Sequence, residues 1–195
     1  MRSLLVLKQW MIHEISPHDL KIIENRIDPC ENILIFDDGV LSQYQLLGKL
    51  NRFHKFLAVS PVIAESASNK YKHIQKRQIY IEPTSAAHER WHYFNDPSGF
   101  MCWNMIRQLQ MDGVHIVLHG YRHDRLTTDY KKFNNELQLS IDLFELNLGF
   151  KPEIFVYPYN ESNTITDAIV RSHNMIPIGP GRIDYRTLLN AGGLE

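Results

Sequence analysis

Short apolar segments alternate with amphipathic segments along most of the chain. Between the apolar segments, hydrophobic positions recur every three or four residues, which is the spacing of helices that bury one face. The apolar segments are rich in β-branched and aromatic residues and are bounded by turn residues, as buried strands are. Strands are predicted at residues 33–36, 56–63, 115–118 and 154–157. This alternation predicts an α/β fold in which crossover helices join parallel strands.

The predicted helices are marked by their period and by residues that favour helix ends. Along residues 130–148 the apolar positions share one face, and Gly149 follows as a stop signal. Ser42 is a suitable N-cap for another helix. The predicted helices cover residues 130–148, residues 42–53, a segment opened by Pro97 and Ser98 that ends at Gly113, and a segment near residues 163–173.

One long segment, residues 65–95, follows neither period clearly. It mixes charged residues with histidine, tyrosine and tryptophan. Unstructured segments of this length in a compact domain are usually functional. We therefore predict a long functional loop here, with one short strand near residues 79–81.

The bulk properties limit the class of protein. A length of 195 residues favours a single domain with a substantial core. The formal net charge of −1 gives no field that attracts a polyanion, so nucleic acid is not expected as a partner. No segment reaches transmembrane length, and no secretory pattern opens the chain. Cys30 and Cys102 are expected to be reduced packing residues, and a cytoplasmic location is expected.

Residues with metal-binding and acid–base chemistry follow three of the predicted strands. In folds of alternating strands and helices, the loops after the carboxyl ends of the strands form the site of chemistry. Three segments are therefore expected to meet at one edge of the sheet. They are Asp37-Asp38-Gly39, His119 to His123, and Pro158-Tyr159.

One carboxylate and two imidazoles are a familiar ligand set for zinc. Successive side chains at a strand end diverge, so only one of Asp37 and Asp38 points easily at an ion, and the other is free to accept a proton from water. Each motif alone is weak, because Asp-Asp-Gly is an ordinary turn and the chain has ten histidines. Their order and strand context support the hypothesis of a metal-assisted hydrolase.

Three segments of the chain resemble the motifs of a known enzyme family. Residues 35–42, 119–123 and 155–160 are similar to the first three motifs of the polysaccharide deacetylases of the NodB homology type, carbohydrate esterase family four. The resemblance spans about residues 32–178 and implies a distorted (β/α) barrel of about seven parallel strands. Residues 1–195 then form one domain, in which residues 1–31 are an accessory segment that could cover the base of the barrel or support a homo-oligomer.

The resemblance also implies a role for each motif residue. Asp37 would be the general base, and Asp38, His119 and His123 would hold a divalent metal, with zinc expected. The backbone N–H of Tyr159 would help to hold the oxyanion. The implied reaction is removal of an N-acetyl group from an amino sugar of a polysaccharide or glycan precursor, and the implied partner is a carbohydrate.

The chain lacks the family's usual residue for two roles, the orientation of the catalytic aspartate and the donation of a proton to the leaving amine. Val156 stands where the family has an arginine that orients the catalytic aspartate. Arg122, Arg125 or Arg182 could replace that arginine, and the sequence does not choose among them. The late family motif that ends in a histidine, the proposed general acid, is not recognisable, so the proton donor for the leaving amine is unassigned.

Several other residues are candidates for contact with the substrate. His88 and His92 could each serve as proton donor or sugar contact, with ordinary loop histidines as the alternative. Trp91 could stack on a sugar ring, with core packing as the alternative. Pro158 lies in the third motif, and Arg182 could bind an anionic group of the substrate.

Two further functions remain open from the sequence. The departures at Val156 and at the late histidine fit a catalytically impaired protein that binds sugar or acts as a scaffold. A deformylase acting on a lipid-linked amino sugar would use the same attack on an amide carbonyl. The expected cytoplasmic location favours a nucleotide-linked or lipid-linked sugar as the substrate.

Overall fold

Seven parallel strands form one curled sheet that carries the site. The structure, a computed structural model, describes residues 7–71 and 82–187. The strand order across the sheet is β6-β5-β4-β3-β2-β1-β7, and each neighbouring pair is parallel. The strands are β1 (Lys8–Ile12), β2 (Asn32–Phe36), β3 (His54–Val59), β4 (His115–Leu118), β5 (Ile154–Val156), β6 (Ile176–Ile178) and β7 (Ile183–Asp184). The prediction of about seven parallel strands in a distorted barrel is confirmed.

The two faces of the sheet are buried against different groups. On β2, Ile33 and Ile35 belong to a cluster made only of strand residues, which lies inside the curl. Leu34 and Phe36 belong to the larger cluster that includes the helices. Because neighbouring side chains of a strand point to opposite faces, a strand buried on both sides is apolar throughout. All five residues of β2 are buried for this reason.

Seven helices cover the outside of the described sheet. They are α1 (Pro17–Arg26), α2 (Leu41–Leu47), α3 (Pro61–Tyr71), α4 (Thr84–Phe94), α5 (Trp103–Met111), α6 (Tyr130–Leu148) and α7 (Thr164–Ser172). The predictions for α6 and α7 are confirmed. Gly149 ends α6 in the left-handed region with φ 80°, and Asn163 caps α7 with its side chain. None of the helices in the described ranges is long and apolar enough to cross a bilayer.

The N-terminal segment forms part of the sheet. β1 pairs with β2 on one side and with β7 on the other, so it is an internal strand. α1 follows it and begins with a capping box between Ser16 and Asp19. The segment interpreted as accessory therefore supplies an element that the barrel needs.

Some predicted boundaries are wrong. The strand predicted at residues 56–63 ends at Val59, and α3 begins at Pro61, whose fixed φ suits the first turn of a helix. The helix predicted from Ser42 begins one residue earlier and ends at Leu47, and Ser42 is buried inside it without capping it. The helix predicted from Pro97 begins only at Trp103.

The long loop predicted at residues 65–95 is also wrong, because α3 and α4 occupy most of it. The strand predicted near residues 79–81 lies outside the described residues. The buried residues of α4 are Thr84, Ala87 and Trp91, and such a thin apolar stripe gives little helical signal in the sequence. This helix brings one of the histidines to the site.

Candidate metal centre

The carboxyl ends of β1, β2 and β4 meet at one edge of the sheet and present the polar residues that follow them. Ile12 of β1 pairs with Phe36 of β2, so the next residues, His13 and Asp37, lie side by side. The N–H of Asp37 donates to the carbonyl of Ile12 at 2.9 Å. His119 follows β4 and donates its N–H to the carbonyl of Val59 at 2.8 Å. The backbone pairing of the strands is therefore enough to place His13, Asp37 and His119 at the same edge of the sheet.

Asp38 enters the site through an unusual backbone conformation. Its φ is 81°, and Gly39 follows with φ 70°. A side chain at Gly39 would be strained in this region and would lie 3.3 Å from Cγ1 of Val59. Asp38 itself has a side chain in this sparsely populated region, which costs about 1–3 kcal/mol and is typical of functional sites. The turn places the Asp38 carboxylate opposite the histidines.

Three imidazoles surround one oxygen of Asp38. Oδ1 of Asp38 lies 3.3 Å from Nε2 of His119 and 2.9 Å from Nε2 of His123, as the sequence predicts for metal ligands. Nε2 of His88, from α4, lies 3.3 Å from the same oxygen. Asp38 is 4% exposed, and His119 is 1% exposed. The structure therefore brings together the three predicted ligands, and His88 also contacts the Asp38 carboxylate.

The donor atoms of this cluster fit a divalent cation. Both oxygens of Asp38, Nε2 of His119 and both ring nitrogens of His88 are buried without a hydrogen-bond partner among the described residues. Burial of unpaired polar atoms is costly, and native proteins leave few of them. One carboxylate with several imidazoles is the donor set that zinc prefers. A cation between Asp38, His119 and His123 would satisfy the Asp38 carboxylate and Nε2 of His119.

The surroundings set the charge of each group. Burial alone would raise the pKa of Asp38, but the neighbouring His123 and the contacts with His119 and His88 outweigh it and hold the pKa well below its usual range. Burial lowers the pKa of His123 to about 4. Asp38 is therefore ionised and His123 is neutral near pH 7, and these are the forms that bind metal.

The tautomer of His119 is fixed by its other ring nitrogen. Nδ1 of His119 lies 2.9 Å from the carbonyl of Val156. A carbonyl only accepts, so Nδ1 carries the hydrogen and Nε2 presents a lone pair towards Asp38 in the neutral ring. The hydroxyl of Ser60 donates to the carbonyl of His119 at 2.6 Å and holds the residue from the other side. Metal-binding histidines are commonly oriented in this way.

Asp37 is held by Arg182, which resolves the choice among the three arginines. Nη1 of Arg182 donates to both oxygens of Asp37, at 2.6 and 2.7 Å. Its Nε and Nη2 donate to Oδ1 of Asn160 at 2.9 and 2.6 Å. Arg182 is 8% exposed, so it is not free to bind an anionic group of a substrate, and that prediction is wrong. Arg182 thus makes the contact with Asp37 that was expected of an arginine at position 156, where this chain has a valine.

His13 was not found from the sequence. Its Nε2 lies 3.8 Å from Oδ2 of Asp37, and its side chain is 36% exposed, so it faces both Asp37 and the solvent. His173, the last histidine of the chain, instead contacts Asn134 on α6. The sequence signal for His13 was its place directly after a strand, which was missed because β1 was not recognised.

Gln43 was also missed, although it holds the ends of two strands together. Its side chain is fully buried on α2, and Nε2 donates to the carbonyl of Asp37 at 2.6 Å and to that of His13 at 2.9 Å. A single amide thus fixes the backbone of both residues. No local sequence pattern marks a glutamine for this role.

The other predicted contact residues lie in different environments. Trp91 is 2% exposed and donates its Nε1–H to the carbonyl of Arg122 at 3.1 Å, so stacking on a sugar is wrong and core packing is correct. Pro158 is buried. His92 is exposed next to His88, with ring centroids 5.9 Å apart. Tyr159 has φ 56° and lies with its ring 4.8 Å from that of His123.

A cavity of about 470 Å³ opens above the cluster. Its lining includes His13, Asp38, His88, His123 and Tyr159. A second cavity, of about 350 Å³, lies at the opposite end of the strands, where β4 and β5 begin. The polar cavity at the carboxyl ends is therefore the candidate for substrate binding.

Comparisons with known proteins give one family and several solved folds. The sequence profile described as polysaccharide deacetylase matches residues 31–178. IcaB from Ammonifex degensii has a TM-score of 0.61 and 18% identity, with 91% of this chain and 91% of that chain covered. The BpsB deacetylase domain from Bordetella bronchiseptica has a TM-score of 0.62 and 16% identity, with 90% of this chain and 89% of that chain covered. No curated protein sequence matches the chain.

Proposed function

Because the chain belongs to the polysaccharide deacetylase family, we propose that it is a metal-dependent hydrolase that removes the N-acetyl group from an amino sugar. The substrate would be part of a polysaccharide or of a glycan precursor. One observation carries the proposal: Asp38 and the histidines converge in a cavity beside Asp37, whose carboxylate is fixed by Arg182.

Asp38, His119 and His123 would hold the metal, and zinc suits this donor set. When bound, the ion supplies Lewis-acid chemistry, which polarises the amide carbonyl and acidifies the attacking water. The chain's own residues would then handle the protons and the developing charge.

Asp37 is the residue that would take a proton from the attacking water. Its buried ion pair with Arg182 fixes the orientation of the carboxylate. A base held in one orientation at hydrogen-bond distance contributes typically 10²–10⁴-fold to the rate.

His13 is the residue that would give a proton to the departing amine. It lies beside Asp37 and reaches the cavity, so it is close to the base and accessible to the substrate. The backbone N–H of Tyr159 would help to hold the negative charge on the carbonyl oxygen, as preorganised donors do in acyl transfer. Acetate and a free amino sugar would be the products.

The test measures acetate released from a panel of N-acetylglucosamine oligomers of different linkage. We expect release by the zinc-loaded protein, loss after chelation and recovery when zinc returns. Asp37→Asn should lower kcat by about 10²-fold or more while metal binding is kept. Absence of hydrolysis with every acylated amino sugar and every divalent ion tested would contradict the proposal.

The same assay separates the other two functions. Measuring formate from N-formylated sugars tests the deformylase. A sugar-binding protein without turnover predicts glycan binding that survives Asp37→Asn, with no activity to lose. The departures at Val156 and at the late histidine motivated that alternative. Arg182 and His13 both lie against Asp37 and could fill these two roles, which favours the enzyme. The cytoplasmic location stays a prediction.

A further inference from the structure

We propose that His88, His92 and His123 form a second metal site, which takes a divalent transition metal such as zinc and inhibits the enzyme by drawing His123 away from the first ion. The binding site itself stands on the three histidines. The inhibition rests on the proposed function, since it takes the catalytic ion to lie between Asp38, His119 and His123.

A single ion at Asp38 leaves buried ring nitrogens unexplained. Both ring nitrogens of His88 and Nδ1 of His123 are buried without a hydrogen-bond partner among the described residues. Nε2 of His88 lies 3.3 Å from Oδ1 of Asp38, but the contact lacks hydrogen-bond geometry. His123 is 5% exposed, so water has little access to its ring. Because unpaired buried polar atoms are costly, these nitrogens indicate a further ligand.

His92 is the third member of the group. It lies four residues after His88 on α4, so the two imidazoles share one face of the helix, and their ring centroids are 5.9 Å apart. The ring of His123 lies 4.2 Å from that of His88 and 6.3 Å from that of His92. Each of the three residues places one ring nitrogen within 4.8 Å of the others. Zinc with ligands near 2.0–2.1 Å holds neighbouring ligand atoms about 3.4 Å apart, so the exposed His92 has to move in by no more than about 1.4 Å.

The sequence of α4 carries an independent signal for metal binding. Residues 88–92 read His-Glu-Arg-Trp-His, which matches the H-E-x-x-H pattern that presents two zinc-binding imidazoles on one helix face. In metalloproteases with this pattern the glutamate is the general base. Glu89 is exposed here and does not belong to the group of candidate ligands. The pattern therefore supports a site that binds an ion, and it assigns no second catalytic centre.

Three contacts hold α4 against the loop that carries His123. Trp91, which lies between the two histidines of the helix, donates its Nε1–H to the carbonyl of Arg122 at 3.1 Å. The guanidinium of Arg122 lies 5.0 Å from the centre of the Trp91 ring, and its Nη2 donates to Oδ1 of Asn95 at 2.9 Å. Arg122 directly precedes His123, so these contacts align the third imidazole with the other two.

The same helix is restrained at its start. The N–H of Thr84 donates to the carboxylate of Glu14. A Cβ at Gly99 would lie 2.5 Å from Cβ of Ala87, which directly precedes His88, so the helix packs closely there. The two histidines of α4 are therefore positioned by packing and do not rely on an ion to bring them in.

His123 can serve only one ion at a time. A neutral imidazole has a single lone pair in the plane of its ring, because its other nitrogen carries a hydrogen. Nε2 of His123 lies 2.9 Å from Oδ1 of Asp38, on the side of the first ion. An ion bound with His88 and His92 therefore takes His123 from the first ion. The first ion then keeps only Asp38 and His119 as protein ligands, and each site weakens the other by the same factor.

The donor atoms set which ions the second site takes. Three imidazoles suit zinc, copper and nickel, whereas magnesium and calcium prefer oxygen ligands. The first site adds the carboxylate of Asp38 to its imidazoles, so it attracts a cation more strongly and fills first. Excess zinc is therefore the condition under which the second site is occupied.

The experiment counts bound ions and does not depend on turnover. The metal-free protein is equilibrated with increasing buffered zinc, and elemental analysis gives the equivalents bound. The visible absorption of cobalt bound as the first equivalent reports whether its ligands change as the second binds. The variants are His92→Ala and the control His18→Ala, which removes an exposed histidine of α1. Circular dichroism of the metal-free proteins checks that each variant folds. Acetate release is followed in parallel, with magnesium as the control for divalent charge.

We expect two equivalents of zinc in the wild type and in His18→Ala, and one in His92→Ala. The second equivalent should bind at least about fivefold more weakly than the first, since the coupling between two sites is typically about 5–150-fold. The cobalt spectrum of the wild type should change as the second equivalent binds, because an imidazole leaves the first ion. Relative to its own rate at one equivalent, the wild type should lose most of its acetate release in excess zinc, and His92→Ala should not. Magnesium should not inhibit.

The outcomes distinguish this inference from the proposed function. A wild type that binds only one equivalent, or a second equivalent that persists in His92→Ala, would overturn the second site and leave the hydrolase intact. A second equivalent that changes neither the cobalt spectrum nor the rate would overturn the competition for His123. Two equivalents, one of them lost in His92→Ala, without hydrolysis of any acylated sugar would support the second site and contradict the proposed function. No metal binding by the wild type would overturn both.

Discussion

Arg182→Met tests whether the buried pair with Asp37 supports both stability and catalysis. The change removes a guanidinium that contacts both oxygens of Asp37 at 2.6 and 2.7 Å. Asp37 is 1% exposed, so water has little access to replace the lost donor. Removing one partner of a buried ion pair leaves an uncompensated charge and costs roughly 3–5 kcal/mol. We expect the free energy of unfolding to fall by about this amount near pH 7.

The effect on catalysis should follow from the same contact. Without Arg182 the Asp37 carboxylate is no longer held in one orientation, and general-base catalysis contributes typically 10²–10⁴-fold. We expect kcat for acetate release to fall within about this range. The metal affinity should change little, because Arg182 contacts neither Asp38 nor the histidines in the structure described.

Urea unfolding and the acetate assay measure the two effects. Arg125→Met is the stability control, because Arg125 pairs with Glu161 and its side chain is 69% exposed. An exposed pair contributes about 0–1 kcal/mol. The double variant Asp37→Asn with Arg182→Met should regain much of the lost stability, since no buried charge is left unpaired, and should remain inactive.

Two results would refute this reasoning. One is a loss of stability in Arg182→Met no larger than that of Arg125→Met. The other is a double variant that is as unstable as Arg182→Met alone, because the cost would then come from packing and not from the isolated charge of Asp37.

Three further predictions concern the proton donor, a close contact and a titrating turn. His13→Ala should lower kcat for acetate release by about 10²-fold, with zinc affinity unchanged; an unaltered kcat would exclude the role. Gly99→Ala should lower the free energy of unfolding by about 1–3 kcal/mol because its Cβ meets Ala87, measured by urea unfolding; equal stability would show that α4 yields freely. Burial raises the pKa of Asp96, but hydrogen bonds from Lys70 and Ser98 outweigh it and lower the pKa to about 2. The stabilisation it gives is present above its unfolded pKa of about 3.9 and is lost as the pH falls towards 2, so the gap in melting temperature between wild type and Asp96→Asn should close over that range; a constant gap would contradict this.

The part of the site that follows recognisable strands could be predicted from the sequence. Residues 33–36 of β2 and 116–118 of β4 are continuous apolar runs, and Asp37, Asp38 and His119 follow them directly, so the parallel sheet places them together. β1 begins with Lys8 and Gln9 and lacks such a run, so the strand and the histidine after it were missed.

The contacts that complete the site could not be predicted, because they depend on tertiary packing. Arg182 and Asp37 are 145 residues apart in the chain, and no spacing rule relates them. Three arginines had the right chemistry, and only the pairing of β1 with β7 brings Arg182 to the base. His88 was noticed, but its helix was interpreted as a loop, so its depth in the cluster was not foreseen.

The candidate metal ligands and the arginine that holds Asp37 come from different parts of the chain. Every candidate ligand precedes residue 124, whereas the guanidinium that restrains the base arrives just before β7. A polypeptide that ends before Arg182 retains all the candidate ligands and lacks the partner of Asp37. Such a variant therefore offers a way to study the proposed ligands apart from the buried pair that holds Asp37.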